Sequence, residues 1–269
     1  MLVTWIWSST SGGSGGGVLG SFSKDRAQPT PAVAPLPAAT WTSCRPGVTS
    51  PAAKTPGTVV ARLLPDPLRP HTFDGRAWIG VTPFLLQDLR TPLGPVPPWV
   101  ASFPETNLRT YVVGPDGRQG LWFFSLDAGR LAPVLVAQST YRLPYKWSAM
   151  TVERQGLTVR YRSRRRWPGP IPAASAITVE VGGRLGPGAV GEFDHYLTAR
   201  WQLYTMLGPV LARATVEHAP WPLHRAVVRE LDAGLVAAAG LPAPEGEPLV
   251  HWSPGVRTRI SALRPLGRA

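Results

Sequence analysis

A single lysine among aromatic residues is the first place where this chain could do covalent chemistry. Only three of the 28 basic side chains are lysines, and one of them, Lys146, lies between Tyr145 and Trp147 in TYRLPYKWSAM, residues 140–150. A lysine amine becomes a nucleophile when burial lowers its pKa, whereas the guanidinium of arginine stays protonated in proteins. Lys146 is therefore either a reactive amine or an ordinary solvated cation.

The segment FPETNLRTYV, residues 103–112, contains a second group of candidates. Side chains alternate along a strand, so Glu105, Asn107, Arg109 and Tyr111 share one face. That face is either solvated or the polar lining of a cavity. The opposite face carries threonines as well as apolar residues, which favours the cavity, because an exposed strand usually has one cleanly apolar face. In a cavity, the fork of donors on Arg109 would pair with a ligand carboxylate.

The five histidines have no paired spacing of the H-x-x-x-H kind, and the single cysteine rules out an intramolecular disulfide and a cysteine-based zinc site. We therefore predict neither a metal nor a cofactor. In EHAPWPLHRA, residues 217–226, His218 and Trp221 lie beside prolines that would fix a rigid turn. These two residues are further candidates for ligand binding, and a purely structural role is the alternative for the histidine.

A net charge of +12 raises the hypothesis of nucleic-acid binding. The charge is spread along the chain, however, with one cluster in VRYRSRRRW, residues 159–167. This cluster alternates as a half-buried strand with a solvated face does. We therefore rank a nucleic-acid-binding surface below a cavity site.

The N-terminal MLVTWIW has no basic residues before its apolar run, and SSTSGGSGGG follows it, which is not the pattern of a signal peptide. No window approaches the roughly 20 apolar residues that a membrane-spanning helix needs. With one cysteine the chain needs no oxidising compartment. We predict a cytoplasmic protein with no membrane contact, and the sequence leaves its oligomeric state open.

The composition divides the chain near residue 57. Residues 1–57 are rich in Gly, Ser, Pro and Ala without apolar periodicity, and we predict that they are disordered or misassigned. Residues 58–269 form a single predicted domain. Its pattern predicts a long helix over 192–205, a short helix ending at Gly240, and several strands. The predicted strands are 105–113, 119–126, 130–138, 147–153, 157–163 and 175–181. Many short strands with few helices indicate an α+β protein around a curved sheet or barrel.

Eight motifs taken in order resemble a known family. They are FDGRAWIGVTPF, FPETNLRTYV, GLWFFSLDA, YRLPYKWSAM, VRYRSRR, YLTARWQLY, VEHAPWPL and LVHWSPGV. Over about residues 58–266 the chain resembles the YqjF-like proteins, a bacterial family of unknown function in the acetoacetate-decarboxylase-like superfamily. The resemblance implies an antiparallel, cone-shaped β-barrel with an internal cavity and a few peripheral helices. It implies no activity, because none is established for that family.

The remote relationship to acetoacetate decarboxylase bears on Lys146. In those enzymes a lysine of a Gly-x-Pro-Lys-Lys segment forms a Schiff base with a β-keto acid, and the neighbouring cation lowers its pKa. The resemblance puts Tyr145 at the Schiff-base position, Lys146 beside it, and Glu105 near a carboxylate of the decarboxylase pocket. Strand alternation lets only one of Tyr145 and Lys146 enter the cavity. If the tyrosine enters, the Schiff-base amine is lost.

The same resemblance points to a missing strand at the N-terminus. YqjF-like proteins begin the domain with a strand of the type Phe-Leu-His-Trp, whereas this chain has WTSCRPGVTSPAAKTPG at that place. Our hypothesis is a frameshift or a misassigned start, and a genuine disordered extension is the alternative.

These observations lead to three functional hypotheses. The first is a cavity that binds a small organic anion through Glu105, Asn107, Arg109 and Tyr111, with contributions from His218 and Trp221. The second is a lyase or hydrolase acting on a keto acid, for which the catalytic candidates are Lys146, Tyr145 and Glu105. The third is the nucleic-acid-binding surface.

Overall fold

The computed structural model describes residues 5–7, 38–42, 57–91, 94–168, 173–242 and 248–266. These residues contain nineteen strands, five short α-helices and one 3₁₀ turn, Pro187–Ala189. The first ten strands are β1 (Trp5–Trp7), β2 (Ala38–Thr42), β3 (Arg69–Pro70), β4 (Thr72–Phe73), β5 (Arg76–Ala77), β6 (Ile79–Leu86), β7 (Leu89–Thr91), β8 (Gly94–Pro95), β9 (Phe103–Val113) and β10 (Gln119–Ala128). The others are β11 (Tyr145–Gln155), β12 (Thr158–Trp167), β13 (Ala174–Arg184), β14 (Gln202–Leu207), β15 (Val210–His218), β16 (His224–Ala233), β17 (Leu249–Ser253), β18 (Thr258–Ile260) and β19 (Arg264–Pro265). The helices are α1 (Gly57–Arg62), α2 (Pro98–Ala101), α3 (Leu131–Thr140), α4 (Glu192–Thr198) and α5 (Gly234–Ala238).

Most of the sheet is antiparallel. From β6 the pairing runs through β9 and β10, continues through β11, β12, β13, β16 and β17, and then reaches β2, which also pairs with β6. A second group of pairs leads from β14 through β15 to β18 and β19, and from β18 through β1 and β7 to β8. Strand β3 pairs with β9, and β4 with β5 forms a separate hairpin. The predicted α+β class is confirmed.

Strand β10 has two different neighbours along one edge. Leu121 and Trp122 pair in parallel with β14, whereas residues 126–128 pair in parallel with β11. Strand β9 occupies the other edge over the full length of β10. Strands β11 and β14 therefore separate from β10 at different points. The side chains of Phe123 and Leu126 lie near this separation, and both line a cavity.

Two of the predicted elements are wrong. The segment predicted as a strand over 130–138 lies, from Leu131 onward, in helix α3. One side of α3 is buried and consists of Pro133, Val134 and Ala137, whereas Leu135 is exposed. A short apolar run does not distinguish a strand from a buried helix, and proline is tolerated in the first turn of a helix.

The predicted helix over 192–205 is correct only for its first half. Helix α4 ends at Thr198, and the chain then enters β14, which pairs with β15 on one side and with β10 on the other. Backbone pairing between two strands outweighs the helical spacing of Phe193, Leu197, Trp201 and Tyr204. The other predicted strands and the short helix before Gly240 are present, with small shifts of their ends.

The basic cluster of VRYRSRRRW forms the predicted half-buried strand. Val159 and Tyr161 are buried, whereas Arg162 and Arg164 are exposed. The guanidinium of Arg162 donates to both carboxylate oxygens of Glu230, at 3.3 and 3.1 Å. The nucleic-acid-binding surface stays a prediction.

Within residues 1–57 the structure describes Trp5–Trp7, Ala38–Thr42 and the first residue of α1. The backbone of Ala38–Thr42 pairs with β17 and β6. The remainder of the predicted N-terminal segment lies outside the described residues, and its disorder or misassignment stays a prediction. Among the helices of the described ranges, none is long and apolar enough to span a membrane.

Candidate functional site

A cavity of about 220 Å³ lies between β9, β10, β14 and the strands near the C-terminus. Most of its wall is apolar, with leucines from several strands and Phe84 and Phe123. The polar side chains on the wall are Thr82, Glu105, Asn107, Arg109, Tyr145, Thr198, Arg200, His218, Trp221, His251, Ser253 and Thr258. An apolar space with a small set of convergent polar groups is the usual form of a small-molecule site.

Strand β9 supplies three of the predicted residues to this wall. Glu105, Asn107 and Arg109 line the cavity, as their shared face predicts, and Glu105 is only 2% exposed. The alternative of a solvated face is therefore wrong. Tyr111 shares the face but does not line the cavity, because its ring is fully buried beneath the guanidinium of Arg200, 5.1 Å from the guanidinium carbon.

Two arginines on the cavity wall carry buried donors without partners. Arg200 is 3% exposed, and its Nη1 donates to Oε1 of Gln119 at 2.7 Å. Its Nε and Nη2 are buried without a hydrogen-bond partner among the described residues, and so is Nε of Arg109. Within the same part of the chain, neither guanidinium forms an ion pair with a carboxylate. Burial lowers the pKa of Arg200, and the positive charge of Arg109 contributes in the same direction.

Among the described residues, Glu105 is the only carboxylate on the cavity wall. Burial raises the pKa of Glu105 to about 8, and the negative charge of Asp127 adds to this rise, while hydrogen bonds from Tyr145 and Asn107 oppose it. The hydroxyl of Tyr145 donates to the carboxyl oxygens of Glu105, with both distances 3.3 Å. At pH 7 Glu105 is therefore mostly protonated, and the two arginines make the polar end of the cavity positive.

Two histidines complete the polar wall. The ring of His218 lies 4.6 Å from the tilted ring of Trp201 and 5.6 Å, edge to face, from that of Trp221. Its Nδ1 lies 2.8 Å from the carbonyl oxygen of Ala219. A carbonyl oxygen can only accept, so Nδ1 carries the proton. Burial lowers the pKa of His218, which keeps the ring neutral at pH 7.

The second histidine, His251, has a carboxylate partner. Its Nε2 lies 3.3 Å from Oδ1 of Asp194, in the first turn of α4. Burial lowers the pKa of His251 more than Asp194 raises it. The other oxygen of Asp194 accepts a hydrogen bond from the backbone nitrogen of Gly191 at 2.8 Å, which anchors the carboxylate at the start of the helix.

Lys146 does not line the cavity, whereas Tyr145 does. Lys146 lies near a buried ion pair, in which Arg165 donates to the fully buried Asp127 through Nη2 at 2.8 Å and Nε at 3.2 Å. Ser148 donates to the same carboxylate at 2.8 Å. Burial and the charge of Arg165 lower the pKa of Lys146, and Asp127 opposes them. Of the two alternatives for RLPYKW, the structure shows the tyrosine on the cavity wall.

We expect no imine at Lys146. Incubation with β-keto acids and borohydride should leave this lysine unmodified by peptide mass analysis, because its amine lies outside the cavity. The Lys146→Arg variant is the control for background labelling at the other two lysines. A reduced adduct on Lys146 that is absent from the variant would show that the amine reaches a bound keto acid.

Among the ionisable residues on the cavity wall or beside it, the sequence does not predict Arg200, His251 and Asp194. Arg200 and His251 lie within two of the quoted motifs, YLTARWQLY and LVHWSPGV, which was the available signal. Arg200 is not predicted as a site residue because a helix over 192–205 would place it on the surface of that helix. His251 meets Asp194 only through the fold, since 57 positions separate them in the sequence.

Residues 54–257 match the family model DUF2071, which is described as an uncharacterized conserved protein. The chain belongs to the DUF2071 family. The uncharacterized protein YqjF of Bacillus subtilis (strain 168) is 34% identical over 203 residues, which cover 73% of this chain and 80% of YqjF. The resemblance to YqjF-like proteins is confirmed.

Solved structures similar to this DUF2071 chain belong to acetoacetate-decarboxylase-like proteins. Acetoacetate decarboxylase of Legionella pneumophila has a TM-score of 0.55 at 11% identity, covering 87% of this chain and 85% of that one. An acetoacetate decarboxylase-like enzyme of Sphingomonas wittichii RW1 has a TM-score of 0.57 at 14% identity, covering 99% and 92%. The enduracididine biosynthesis enzyme MppR complexed with pyruvate has a TM-score of 0.53 at 12% identity, covering 99% of this chain and 91% of MppR. At these identities the similarity shows the fold alone.

Proposed function

We propose that this DUF2071 protein binds a small organic carboxylate in its cavity without forming a covalent bond. Arg109 and Arg200 supply the positive charge, and the leucine-rich wall receives the apolar body of the ligand. The observation that carries the proposal is the set of three buried guanidinium N–H groups without partners among the described residues: Nε of Arg109, and Nε and Nη2 of Arg200.

Those donors carry a cost in free energy. A buried donor without a partner costs about 1–3 kcal/mol, and more when the group is charged. A carboxylate that accepts from Arg109 and Arg200 recovers this free energy and neutralises buried positive charge. Because Glu105 is mostly protonated at pH 7, it does not repel the anion, and its hydroxyl can act as a further donor.

The structural neighbours are consistent with this class of ligand. MppR is described as complexed with pyruvate, which is a small carboxylate. The Legionella protein is named for acetoacetate, which is another. In this chain Tyr145 lies on the cavity wall at the position that the resemblance matches to the Schiff-base lysine, which favours binding without an imine.

We also propose that the sheet closes as an antiparallel, cone-shaped barrel around the cavity. The pairing of β2 with both β17 and β6 supports this, because β2 then bridges the two ends of the main strand series. A position in the cytoplasm stays a prediction from the sequence.

The proposal is tested by calorimetric titration with a matched pair of ligands, hexanoate and hexanamide. We expect saturable binding of hexanoate and at least ~30-fold weaker binding of the amide, because a neutral amide forms weaker hydrogen bonds with guanidinium groups. The affinity for hexanoate should change less than about threefold between roughly 0.05 and 0.5 M NaCl, since buried charges are weakly screened. Equal affinity for the two ligands would overturn the proposal.

A basic surface would behave differently in the same assay. An oligonucleotide bound through phosphate contacts loses affinity log-linearly with salt. Oligonucleotide binding with that slope, together with no carboxylate binding, would favour the nucleic-acid hypothesis.

A lyase or hydrolase acting on a keto acid is the second candidate function. The contact of His251 with Asp194 at the cavity wall favours it, because a histidine oriented by a carboxylate is a common general base. Conversion of a bound keto acid, followed by ¹³C NMR and lost in His251→Gln with binding retained, would identify an enzyme. Binding without conversion over a day would leave the carboxylate-binding protein.

A further inference from the structure

A second cavity, of about 80 Å³, lies under helix α3. Its wall consists of apolar side chains and the rings of Tyr141 and Tyr145. The side chains of α3 on this wall, Pro133 and Ala137, are small, so the helix covers the space without filling it. The hydroxyl of Tyr141 donates to the carbonyl oxygen of Ser261 at 3.1 Å, which ties the end of the helix to the C-terminal segment.

The two cavities are neighbours within the same interior. Six residues line both of them: Leu86, Leu89, Leu143, Tyr145, Leu203 and Ile260. A single layer of side chains therefore separates the two spaces, and most of that layer consists of leucine and isoleucine, which can change rotamer. None of Glu105, Arg109, Arg200 and His218 lines the second cavity.

We propose that the cavity under α3 receives the apolar tail of an elongated ligand whose carboxylate lies at Arg109 and Arg200. This inference rests on the proposed function and specifies its ligand class, namely straight-chain monocarboxylates of medium length. The polarity of the wall supports the orientation, since among the described residues the two arginines line only the first cavity, and the second is lined by apolar side chains and two phenol rings.

The volumes indicate the length of the ligand. The second cavity adds about a third to the volume of the first, about 80 Å³ against about 220 Å³. Under the proposal hexanoate lies within the first cavity, and octanoate, which is longer by two methylenes, extends into the second. Each buried methylene contributes about 0.8 kcal/mol, which is close to a fourfold change in affinity.

The first test is a calorimetric series of straight-chain carboxylates from butanoate to dodecanoate with the wild-type protein. We expect the affinity to rise about fourfold for each methylene up to octanoate or nonanoate and then to level off. A plateau that begins at hexanoate would overturn the tail assignment. This series requires no variant, so its outcome does not depend on how a substitution affects folding.

The second test closes the space under α3. Ala137→Phe should reduce the affinity for octanoate about 15-fold, to the level of hexanoate, and should leave the affinity for hexanoate within about threefold of wild type. Ala132→Phe is the matched control, because it makes the same change on the exposed face of the same helix. Ala137→Leu is the smaller substitution to use if the phenylalanine variant does not fold.

The outcomes separate the tail assignment from the proposed function. If hexanoate and octanoate both bind, and Ala137→Phe changes the two affinities by the same factor, the tail assignment is wrong and the anion site stands. If no carboxylate of any length binds the folded wild-type protein, the proposed function fails as well.

Discussion

Arg109→Met is expected to lower the affinity for hexanoate roughly 100-fold, since loss of one member of a buried, hydrogen-bonded charge pair costs about 2–5 kcal/mol. Methionine is unbranched and flexible, so it occupies much of the volume of the arginine side chain without its charge. Calorimetry measures the change, and thermal unfolding shows whether the variant is folded. The fold should be retained because, within the described part of the chain, Arg109 forms no ion pair.

The control is Arg225→Met, which makes the same substitution at an exposed position on β16. The Arg225→Met variant should bind hexanoate within about twofold of the wild-type affinity, because solvent and salt weaken the interaction of an exposed surface charge with a buried anion. An unchanged affinity in folded Arg109→Met would mean that the anion, if one binds, lies elsewhere.

Glu105→Gln is expected to stabilise the protein at alkaline pH. The pKa of Glu105 is about 8 in the folded chain, whereas the ordinary value is 4.5. Between these pH values the folded state binds more protons than the unfolded state, so stability falls as pH rises. The contribution of Glu105 to the free energy of unfolding is fully present below about pH 4.5, and it declines by up to about 5 kcal/mol by pH 8. Glutamine has the same shape and no charge, so it removes this loss.

The measurement is urea-induced unfolding of wild type and Glu105→Gln at several pH values from 5 to 8.5. The variant should exceed wild type by about 2–5 kcal/mol near pH 8, and the difference should shrink towards pH 5. Glu153→Gln, at an exposed position on β11, is the matched control and should follow the wild-type profile. Parallel profiles for wild type and Glu105→Gln would show that Glu105 is ionised in both states.

The face of β9 shows what alternation can predict. The spacing of Glu105, Asn107 and Arg109 is enough to put them on one side of a strand, and the structure places all three on the cavity wall. Alternation also predicts that Tyr145 and Lys146 point in opposite directions. It does not determine which of them enters the cavity, because that depends on which face of β11 packs against β10 and the interior.

The partners of β9 could not be predicted in the same way. Arg200 follows α4 at a point where the apolar spacing continues as if the helix did, and the change to β14 is imposed by pairing with β10 and β15. The pairing is formed between residues about 80 positions apart, such as Leu121 and Leu203. A local pattern carries no information about such a contact, so the second arginine of the site was missed.

Helix α3 illustrates a different limit. Its apolar run is equally consistent with a strand, and what decides between them is the surface it covers. The buried residues Pro133 and Ala137 of α3 line the second cavity, together with Phe103 of β9. This arrangement of distant parts of the chain cannot be predicted from the local sequence.

The proposed anion site is tested most directly at the unpaired N–H donors themselves. Buried arginine Nε–H groups can be followed in ¹H–¹⁵N NMR spectra during a titration with octanoate. Arg109→Met and Arg200→Lys remove one Nε–H each and so assign the two signals. We predict that both signals move downfield along the same saturation curve that calorimetry gives, because each donor gains a carboxylate acceptor. Octanoate that saturates the protein while both signals stay in place would contradict the account.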